Sequence, residues 1–196
     1  MKRFILYPFL AVMFVFVNLS YAQYRNPEVA WGLSAGGAHG NNIAGDAWMM
    51  QYRGFGQINL ISPMLIGQVG VGYVGLEAPG TYYAQTGIVD ARLLFSPFER
   101  SNLNPYVFGG LAVSKALNSS GSSLLPMVPL GAGIQTVISR GTLIDINGGF
   151  NFSLSDELDG RTRSSSNLNV LTNQKQDGFY GFTIGLVFAI CNSYAN

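Results

Sequence analysis

Charged residues are scarce in this chain of 196 residues. Lys, Arg, Asp and Glu together make up 11% of it, whereas about 25% is typical of soluble domains. The single cysteine, Cys191, excludes an internal disulfide, and the single histidine, His39, argues against a zinc site. The composition therefore excludes an ordinary water-exposed surface and a disulfide-linked scaffold.

After the N-terminal region, the sequence also lacks long apolar runs. Gly, Asn, Gln or Ser interrupts every stretch before it reaches the roughly 20 apolar residues that a spanning helix needs. Glycine, with 25 residues, and aromatic residues, at 13%, are abundant instead. Only helices and closed barrels satisfy their backbone hydrogen bonds inside a bilayer. A charge-poor chain without a spanning helix therefore predicts a membrane β-barrel.

The N-terminal region, residues 1–22, has the order of a secretory signal peptide. Lys2 and Arg3 precede an apolar stretch, and small residues up to Ala22 stand where a signal peptidase would cut. We expect cleavage there and one domain over 23–196; the alternative is an uncleaved membrane anchor. Without Lys2 and Arg3 the basic and acidic residues nearly balance, which argues against a nucleic-acid partner.

Alternation of large and small side chains is the strongest pattern in the chain. In residues 177–190 the even positions from Tyr180 to Ile190 are large and apolar, and the odd positions are mostly small. Successive side chains of a strand point to opposite faces, so one face suits lipid and the other a crowded interior. The same period predicts eight strands, at about 29–38, 48–61, 64–74, 81–95, 105–115, 127–138, 142–154 and 177–190. The predicted fold is all-β: an eight-stranded antiparallel up-and-down transmembrane β-barrel.

The connections between the predicted strands alternate in length. Those after the second, fourth and sixth strands are short; those after the first, fifth and seventh are longer or more polar, although the one after the third is brief. Outer-membrane barrels have short periplasmic turns and long external loops. The pattern therefore predicts that both termini are periplasmic. The fifth strand is apolar in both registers, so the sequence leaves its facing open.

Four charged residues fall well inside the predicted strands: Arg53, Asp90, Arg92 and Asp145. When the apolar positions are set outward, all four face the interior. An Arg or Lys facing lipid at mid-bilayer would cost about 2–4 kcal/mol, so interior placement is expected. One interpretation of this cluster is an ion path or gate. The interpretation that we favour is a paired polar plug that holds the strands together.

The last predicted strand resembles the C-terminal assembly signal of bacterial outer-membrane barrels. Thr183, Gly185, Phe188 and Ile190 occupy its polar, glycine, aromatic and large apolar positions. The chain departs from the usual pattern in one respect, because the stretch CNSYAN follows the motif.

Two glycine-rich phrases, NPYVFGG at 104–110 and PLGAGI at 129–134, extend this resemblance to the whole mature chain. The chain resembles the small eight-stranded barrels of the bacterial outer membrane, such as the transmembrane domain of outer membrane protein A. The resemblance implies contact with outer-membrane lipid and lipopolysaccharide. It also implies folding through periplasmic chaperones and the barrel-assembly machinery.

The sequence points to no cofactor, metal or nucleic acid, and we expect a structural or surface-interaction role without enzymatic activity. The GxGxxG pattern at 70–75 has a strand after it, not the helix that nucleotide binding needs. The alternatives are a narrow ion-conducting pore or, less favoured, a lipid-modifying hydrolase that uses His39, with Ser34 or a loop serine and Asp46 as its partners. In the loop at 155–176, Arg161, Arg163 and Lys175 could contact lipopolysaccharide phosphates, and ordinary loop charge explains them about as well. The loops could also meet an extracellular ligand, which the sequence does not identify.

Overall fold

The computed structural model describes residues 28–41, 46–80, 82–98, 103–118, 124–139, 141–154 and 178–191. These residues form eight strands: β1 (Val29–Gly40), β2 (Trp48–Asn59), β3 (Leu65–Ala78), β4 (Tyr82–Phe95), β5 (Leu103–Ala116), β6 (Leu125–Ser139), β7 (Thr142–Ser153) and β8 (Gly178–Cys191). Each strand pairs antiparallel with the next, and β8 pairs with β1 to close the barrel. The predicted fold is confirmed. The predicted signal peptide, residues 1–22, lies outside the described residues.

The described residues include no helix that is long and apolar enough to span a membrane. The barrel has two ends, which we name by their connections. The turn end carries the connections 60–64, 96–102 and 140–141. The loop end carries the connections 41–47, 79–81, 117–124 and 154–177.

The alternation of side chains sorts each strand into an outer and an inner face, as predicted. On β1, Leu33 is 58% exposed whereas Ala30 is 1% exposed. On β8, Ile184 is 52% exposed whereas Val187 is fully buried. Because side chains alternate along a strand, each strand contributes one row to the outer wall and one row to the interior.

The strand β5, whose facing the sequence left open, places its aromatic residues inside. Tyr106 and Phe108 are buried, and Leu111 on the opposite face is 71% exposed. Tyr106 pairs with Gly133, and Phe108 pairs with Gly131, on the neighbouring β6. A Cβ on Gly131 would lie 2.6 Å from the Phe108 ring, so glycine is what makes room for that ring.

The strand β3 is longer than predicted. The sequence predicts the third strand at 64–74 and leaves 75–80 as its brief connection to the fourth. In the structure the β3–β4 ladder continues through Gly75, opposite Gln85, to Ala78. The reversal itself is at Gly80, whose φ of 73° is one that glycine adopts readily. Glycine at 75 suggested a turn, but here it belongs to a paired strand.

Apolar clusters occupy the interior on both sides of its middle. We call the one nearer the loops the loop-end cluster: Ala38, Val74, Leu76, Ala84, Ala112, Leu125, Met127 and Phe179. Two clusters occupy the turn half. One contains Ala30, Phe55, Leu143 and Val187, and the other contains Ile66, Leu94, Tyr106 and Phe108. On β4, Asp90 and Arg92 lie between Ala84 of the loop-end cluster and Leu94 of a turn-half cluster.

Candidate functional site

The interior of the barrel contains an ion-paired group that we call the charged layer: Arg53, Asp90 and Arg92. Arg53 on β2 reaches across β3 to Asp90 on β4. Its Nε donates to Asp90 Oδ2 at 2.9 Å, and its Nη2 donates to Oδ1 at 2.5 Å. A planar guanidinium and a carboxylate commonly form such a bidentate pair, which adds geometric specificity as well as energy.

Gly70 makes the span of Arg53 across β3 possible. Gly70 pairs with Phe55 on one side and with Asp90 on the other. A Cβ at Gly70 would lie 2.7 Å from the Arg53 guanidinium. The glycine therefore leaves the space that the guanidinium occupies.

Arg92 completes the charged layer from the same strand as Asp90. Its Nη2 donates to Asp90 Oδ2 at 3.1 Å. The Asp90 side chain is 2% exposed, so its charge is compensated by two arginines and not by solvent. Arg53 lies over the Phe55 ring and Arg92 over the Phe108 ring, at 4.8 and 4.9 Å from the ring centroids. The two ring faces offset part of the excess positive charge.

Three glutamines extend the charged layer toward the turn end. Arg53 Nη1 donates to Gln68 Oε1 at 2.7 Å, and Gln68 Nε2 donates to Gln57 Oε1 at 3.2 Å. Gln135 Nε2 donates to the same Gln57 oxygen at 3.4 Å. Since Gln57 is on β2 and Gln135 is on β6, this contact joins opposite walls of the barrel. Sequence reasoning did not single these residues out, although amides at inward positions were the available signal.

Asp145 lies apart from the charged layer. Tyr106 Oη donates to its Oδ1 at 2.8 Å, and Asn147 Nδ2 donates to its Oδ2 at 2.7 Å. Within the described strands Asp145 forms no ion pair; the two that occur there both involve Asp90. The structure thus brings three of the four predicted charges together and places the fourth against neutral donors. Tyr106 was missed because the facing of β5 was open.

Ser34 and His39, two of the residues suggested for a hydrolase, do not come together as a pair. Ser34 faces the interior and donates to the Arg53 carbonyl oxygen at 3.4 Å. His39 is an odd number of positions further along β1, on the outer face, where its ring lies 5.3 Å from the Trp48 ring. Asp46 is buried just before β2. Nowhere in the described part of the chain do three or more potential metal ligands of the His, Cys, Asp and Glu types come together.

The four residues of the predicted assembly signal lie on β8, where it closes against β1. Thr183 and Gly185 face inward, and Gly185 pairs with Ser34. Phe188 faces outward and its ring lies 4.7 Å from the Trp31 ring. Ile190 is 62% exposed. Recognition of this strand by assembly factors stays a prediction. The charged loop residues Arg161, Arg163 and Lys175 lie outside the described residues.

Comparison with known proteins finds solved structures that have a similar fold, but no similar sequence among family models or curated proteins. No protein-family model matches the chain, and no curated protein matches it. The crystal structure of Neisserial surface protein A superposes with a TM-score of 0.63 at 13% identity, covering 83% of this chain and 97% of that one. The N-terminal β-barrel domain of Pseudomonas aeruginosa OprF gives 0.47 at 15% identity, covering 83% and 100%. Ail of Yersinia pestis gives 0.45 at 13% identity, covering 83% and 98%.

At these identities the likeness establishes the fold alone. The resemblance predicted from the sequence is confirmed at that level. The chain is a closed eight-stranded barrel that shares its fold with Neisserial surface protein A.

Proposed function

We propose that this chain, which has the fold of a small outer-membrane barrel, is an integral protein of the bacterial outer membrane with a structural or surface-interaction role and no enzymatic activity. The observation that carries the proposal is an apolar outer wall that continues around all eight strands and encloses a filled interior.

The outer wall supports a membrane location because large apolar side chains occupy it on every strand. Exposed examples, one from each strand, are Leu33, Ile58, Val69, Leu93, Leu111, Leu130, Ile146 and Leu186. Soluble monomers rarely expose a contiguous apolar patch larger than a few hundred Å². A surface of this kind is suited to hydrocarbon on all sides, as in transmembrane barrels.

Aromatic residues near both ends of the outer wall support the same location. Near the loop end they include Trp48, Tyr52, Tyr83 and Tyr180, and near the turn end they include Trp31 and Phe95. Aromatic side chains concentrate where hydrocarbon meets headgroups. Because outer-membrane barrels have short periplasmic turns and longer external loops, we assign the loop end to the cell exterior and the turn end, with both termini, to the periplasm.

The filled interior supports a structural role over a narrow pore. The loop-end cluster closes the interior beside the charged layer, and each of its eight side chains is at most 7% exposed. On the turn side, the Gln57–Gln135 contact crosses the barrel. Barrels of eight strands are just wide enough for their side chains to fill them. We expect that the purified barrel does not conduct ions.

The expected partners follow from the proposed location in the outer membrane. Outer-membrane lipid and lipopolysaccharide would surround the outer wall, and periplasmic chaperones and the barrel-assembly machinery would deliver the chain. Thr183, Gly185, Phe188 and Ile190 would be the assembly signal on β8. The connections of the loop end would be the contact surface for an extracellular ligand.

Three measurements test the proposal. Membrane fractionation, with gel mobility measured before and after boiling, should find a heat-modifiable band in the outer-membrane fraction. A soluble protein whose mobility does not change on boiling would refute the location. Single-channel recording should then find no conductance for the wild type, and steady conductance that changes in Asp90→Asn would favour the pore instead. Unchanged lipid A mass in cells that express the protein would support the absence of lipid-modifying activity.

A further inference from the structure

Glu77 and Lys115 are the two charged residues on the outer wall of the described strands. Glu77 lies on β3 and Lys115 on β5, both at outward positions, and no other Asp, Glu, Lys or Arg of those strands faces outward. The two ion pairs of the described residues are both in the interior, so neither outward charge has a counter-charge within its own barrel. The rest of the wall is free of charge, as expected for a surface that meets hydrocarbon.

The strand register fixes the heights of outward residues relative to one another. A single row of paired residues can be followed once around the wall: Val29, Ile58, Gly67, Leu93, Gly109, Leu130, Phe150, Tyr180 and His39. The row leaves β1 at residue 29 and returns at residue 39, ten residues nearer the loop end. It therefore climbs toward the loop end by about 1.25 residues at each of the eight strands, which is the stagger of a tilted barrel.

By this register Glu77 and Lys115 lie at nearly the same height. Glu77 pairs with Tyr83 and Lys115 pairs with Gly87, so they are four residues apart along β4, with Lys115 on the turn side. The climb of the row from β3 to β5 offsets about 2.5 of these residues. The remaining difference is roughly 4 Å along the barrel axis, and the two residues are about 16 Å apart along the wall.

Gln85 lies midway between the two charges on the outer face of β4. It is two residues from Tyr83, the partner of Glu77, and two residues from Gly87, the partner of Lys115. Its Nε2 donates to Tyr83 Oη at 2.8 Å, and its backbone amide donates to Asn118 Oδ1 at 3.2 Å. A side-chain amide has two N–H donors and an acceptor oxygen, so one N–H and the oxygen are left for a further partner.

The order acid, amide, base is self-complementary under a two-fold rotation. An axis parallel to the barrel axis and beside Gln85 brings Glu77 of each copy to face Lys115 of the other. The same rotation brings the two Gln85 amides together, where they can exchange N–H···O bonds through the hydrogens that Tyr83 does not use. Such a contact uses one patch twice, as two-fold interfaces do. Both copies also keep the same orientation in the membrane.

The wall on the turn side of Gln85 is shaped for close packing. Gln85 pairs with Gly75, and Tyr73 is two residues nearer the turn end on the same strand. Tyr73 lines an apolar groove of about 920 Å³ in which Ala35 and Gly54 are the small outward residues. Lipid tails are as apolar as the protein wall, so association in a membrane depends on close packing and on hydrogen bonds between polar side chains. This face offers both.

We infer that the chain forms a two-fold symmetric dimer through the wall of β3 to β5, with Gln85 beside the axis and Glu77 of each copy facing Lys115 of the other. This inference rests on the proposed outer-membrane location, which gives both copies one orientation. A lipid phosphate would neutralise Lys115 but repel the Glu77 carboxylate. A second copy supplies a counter-charge to each residue, and for that reason the charge pattern favours the dimer over contact with lipid alone.

The first test uses the position beside the axis. Cys191→Ser removes the natural cysteine from the full mature chain, and Gln85→Cys is added before folding into lipid vesicles. A residue beside a two-fold axis meets its own copy, so mild oxidation should link this variant into a covalent dimer. Phe152→Cys on β7, in the same Cys191→Ser background, is the matched control. It lies on the outer wall near the loop end but on another side of the barrel, and it should stay monomeric.

The second test exchanges the two charges. Energy transfer between labelled copies in vesicles, at a fixed protein-to-lipid ratio, measures the dimer fraction. Glu77→Lys makes lysines face each other and should weaken association about tenfold, corresponding to 1.4 kcal/mol. Lys115→Glu should have a similar effect. The double variant with both changes should recover the wild-type dimer fraction, because the reversed pair is again complementary.

Three results would overturn the inference. One is equal cross-linking of the two cysteine variants. The second is a wild-type chain that stays monomeric as the protein-to-lipid ratio is raised. The third is a double variant that associates no better than Glu77→Lys alone. Heat-modifiable gel mobility checks that every variant is folded. A folded, membrane-embedded monomer would leave the proposed function standing, whereas a protein that is not membrane-embedded would refute both.

Discussion

The charged layer and the loop-end cluster occupy the same barrel and stabilise it in opposite ways. The charged layer depends on a few directional contacts, such as the pairing of Arg53 with Asp90 over Gly70. The loop-end cluster depends on volume: Leu76, Met127 and Phe179 are at most 1% exposed and have no polar atoms to satisfy. The comparison teaches that a conservative change should be harmless in one region and severe in the other.

The largest expected effect is the loss of the shared carboxylate. Asp90→Ala leaves Arg53 and Arg92 buried without an anion, which should lower the free energy of unfolding by about 3–5 kcal/mol. Urea unfolding of the barrel in lipid vesicles measures this value. Asp90→Asn, which keeps the shape and loses the charge, should fall between the wild type and Asp90→Ala. A loss below about 1 kcal/mol would mean that the pair contributes little to stability.

The corresponding change in the loop-end cluster is Leu76→Ala. Removing a fully buried leucine side chain should lower the free energy of unfolding by about 3 kcal/mol, because a cavity remains. Leu76→Met should cost less than about 1.5 kcal/mol, since it nearly conserves volume. If Leu76→Met is as damaging as Leu76→Ala, the cluster is as specific in shape as the charged layer, and the distinction between the two regions fails.

The next prediction tests whether the charged layer requires the space that Gly70 leaves for the Arg53 guanidinium. Gly70→Ala places a methyl group where the Arg53 guanidinium lies, and should lower the free energy of unfolding by about 1–3 kcal/mol. Gly56→Ala is the matched control on β2, because its Cβ would have no atom within 4 Å. The control should be neutral or stabilise the barrel by about 0.4–1 kcal/mol. Equal losses in the two variants would point to strand propensity and not to the guanidinium.

The smallest expected effect on stability concerns Asp145, the interior charge that lies outside the charged layer. Tyr106→Phe keeps the ring in its cluster but removes the hydroxyl that donates to Asp145. The free energy of unfolding should fall by about 1–2 kcal/mol, the usual cost of losing one partner of a buried polar group. Combined with Asp145→Leu, the same change should cost less, and a double-mutant cycle would measure the coupling. Additive losses would contradict a direct role for the 2.8 Å contact.

Most of the fold could be predicted because period-two alternation appears directly in the sequence. Along β8, from Phe179 to Ile190, large and small side chains alternate. This alternation predicts which side chains face outward. The same reasoning failed on β5, where Val107 and Phe108 are both apolar and only the glycines of β6 decide which ring fits inside. The length of β3 was underestimated because Gly75 carries no side chain from which pairing could be inferred.

Only part of the candidate site could be predicted from the sequence. Charges at inward positions stood out, so Arg53, Asp90 and Arg92 could be grouped from their facing alone. The separation of Asp145 depends on where β7 lies around the barrel relative to β4, and facing says nothing about that distance. The glutamines that join opposite walls are ordinary polar residues until the interior is assembled.

The pairing of β8 with β1 also has a consequence for the order of folding. It joins Val29 to Cys191 and His39 to Tyr180, residues from the two extremes of the described chain. Contacts this distant in sequence carry a large entropy of loop closure and form slowly. The β2–β4 contacts of the charged layer, by contrast, join residues 37 positions apart. The hairpins can therefore mature first, while the unpaired edges of β1 and β8 remain open to other strands until the ring closes.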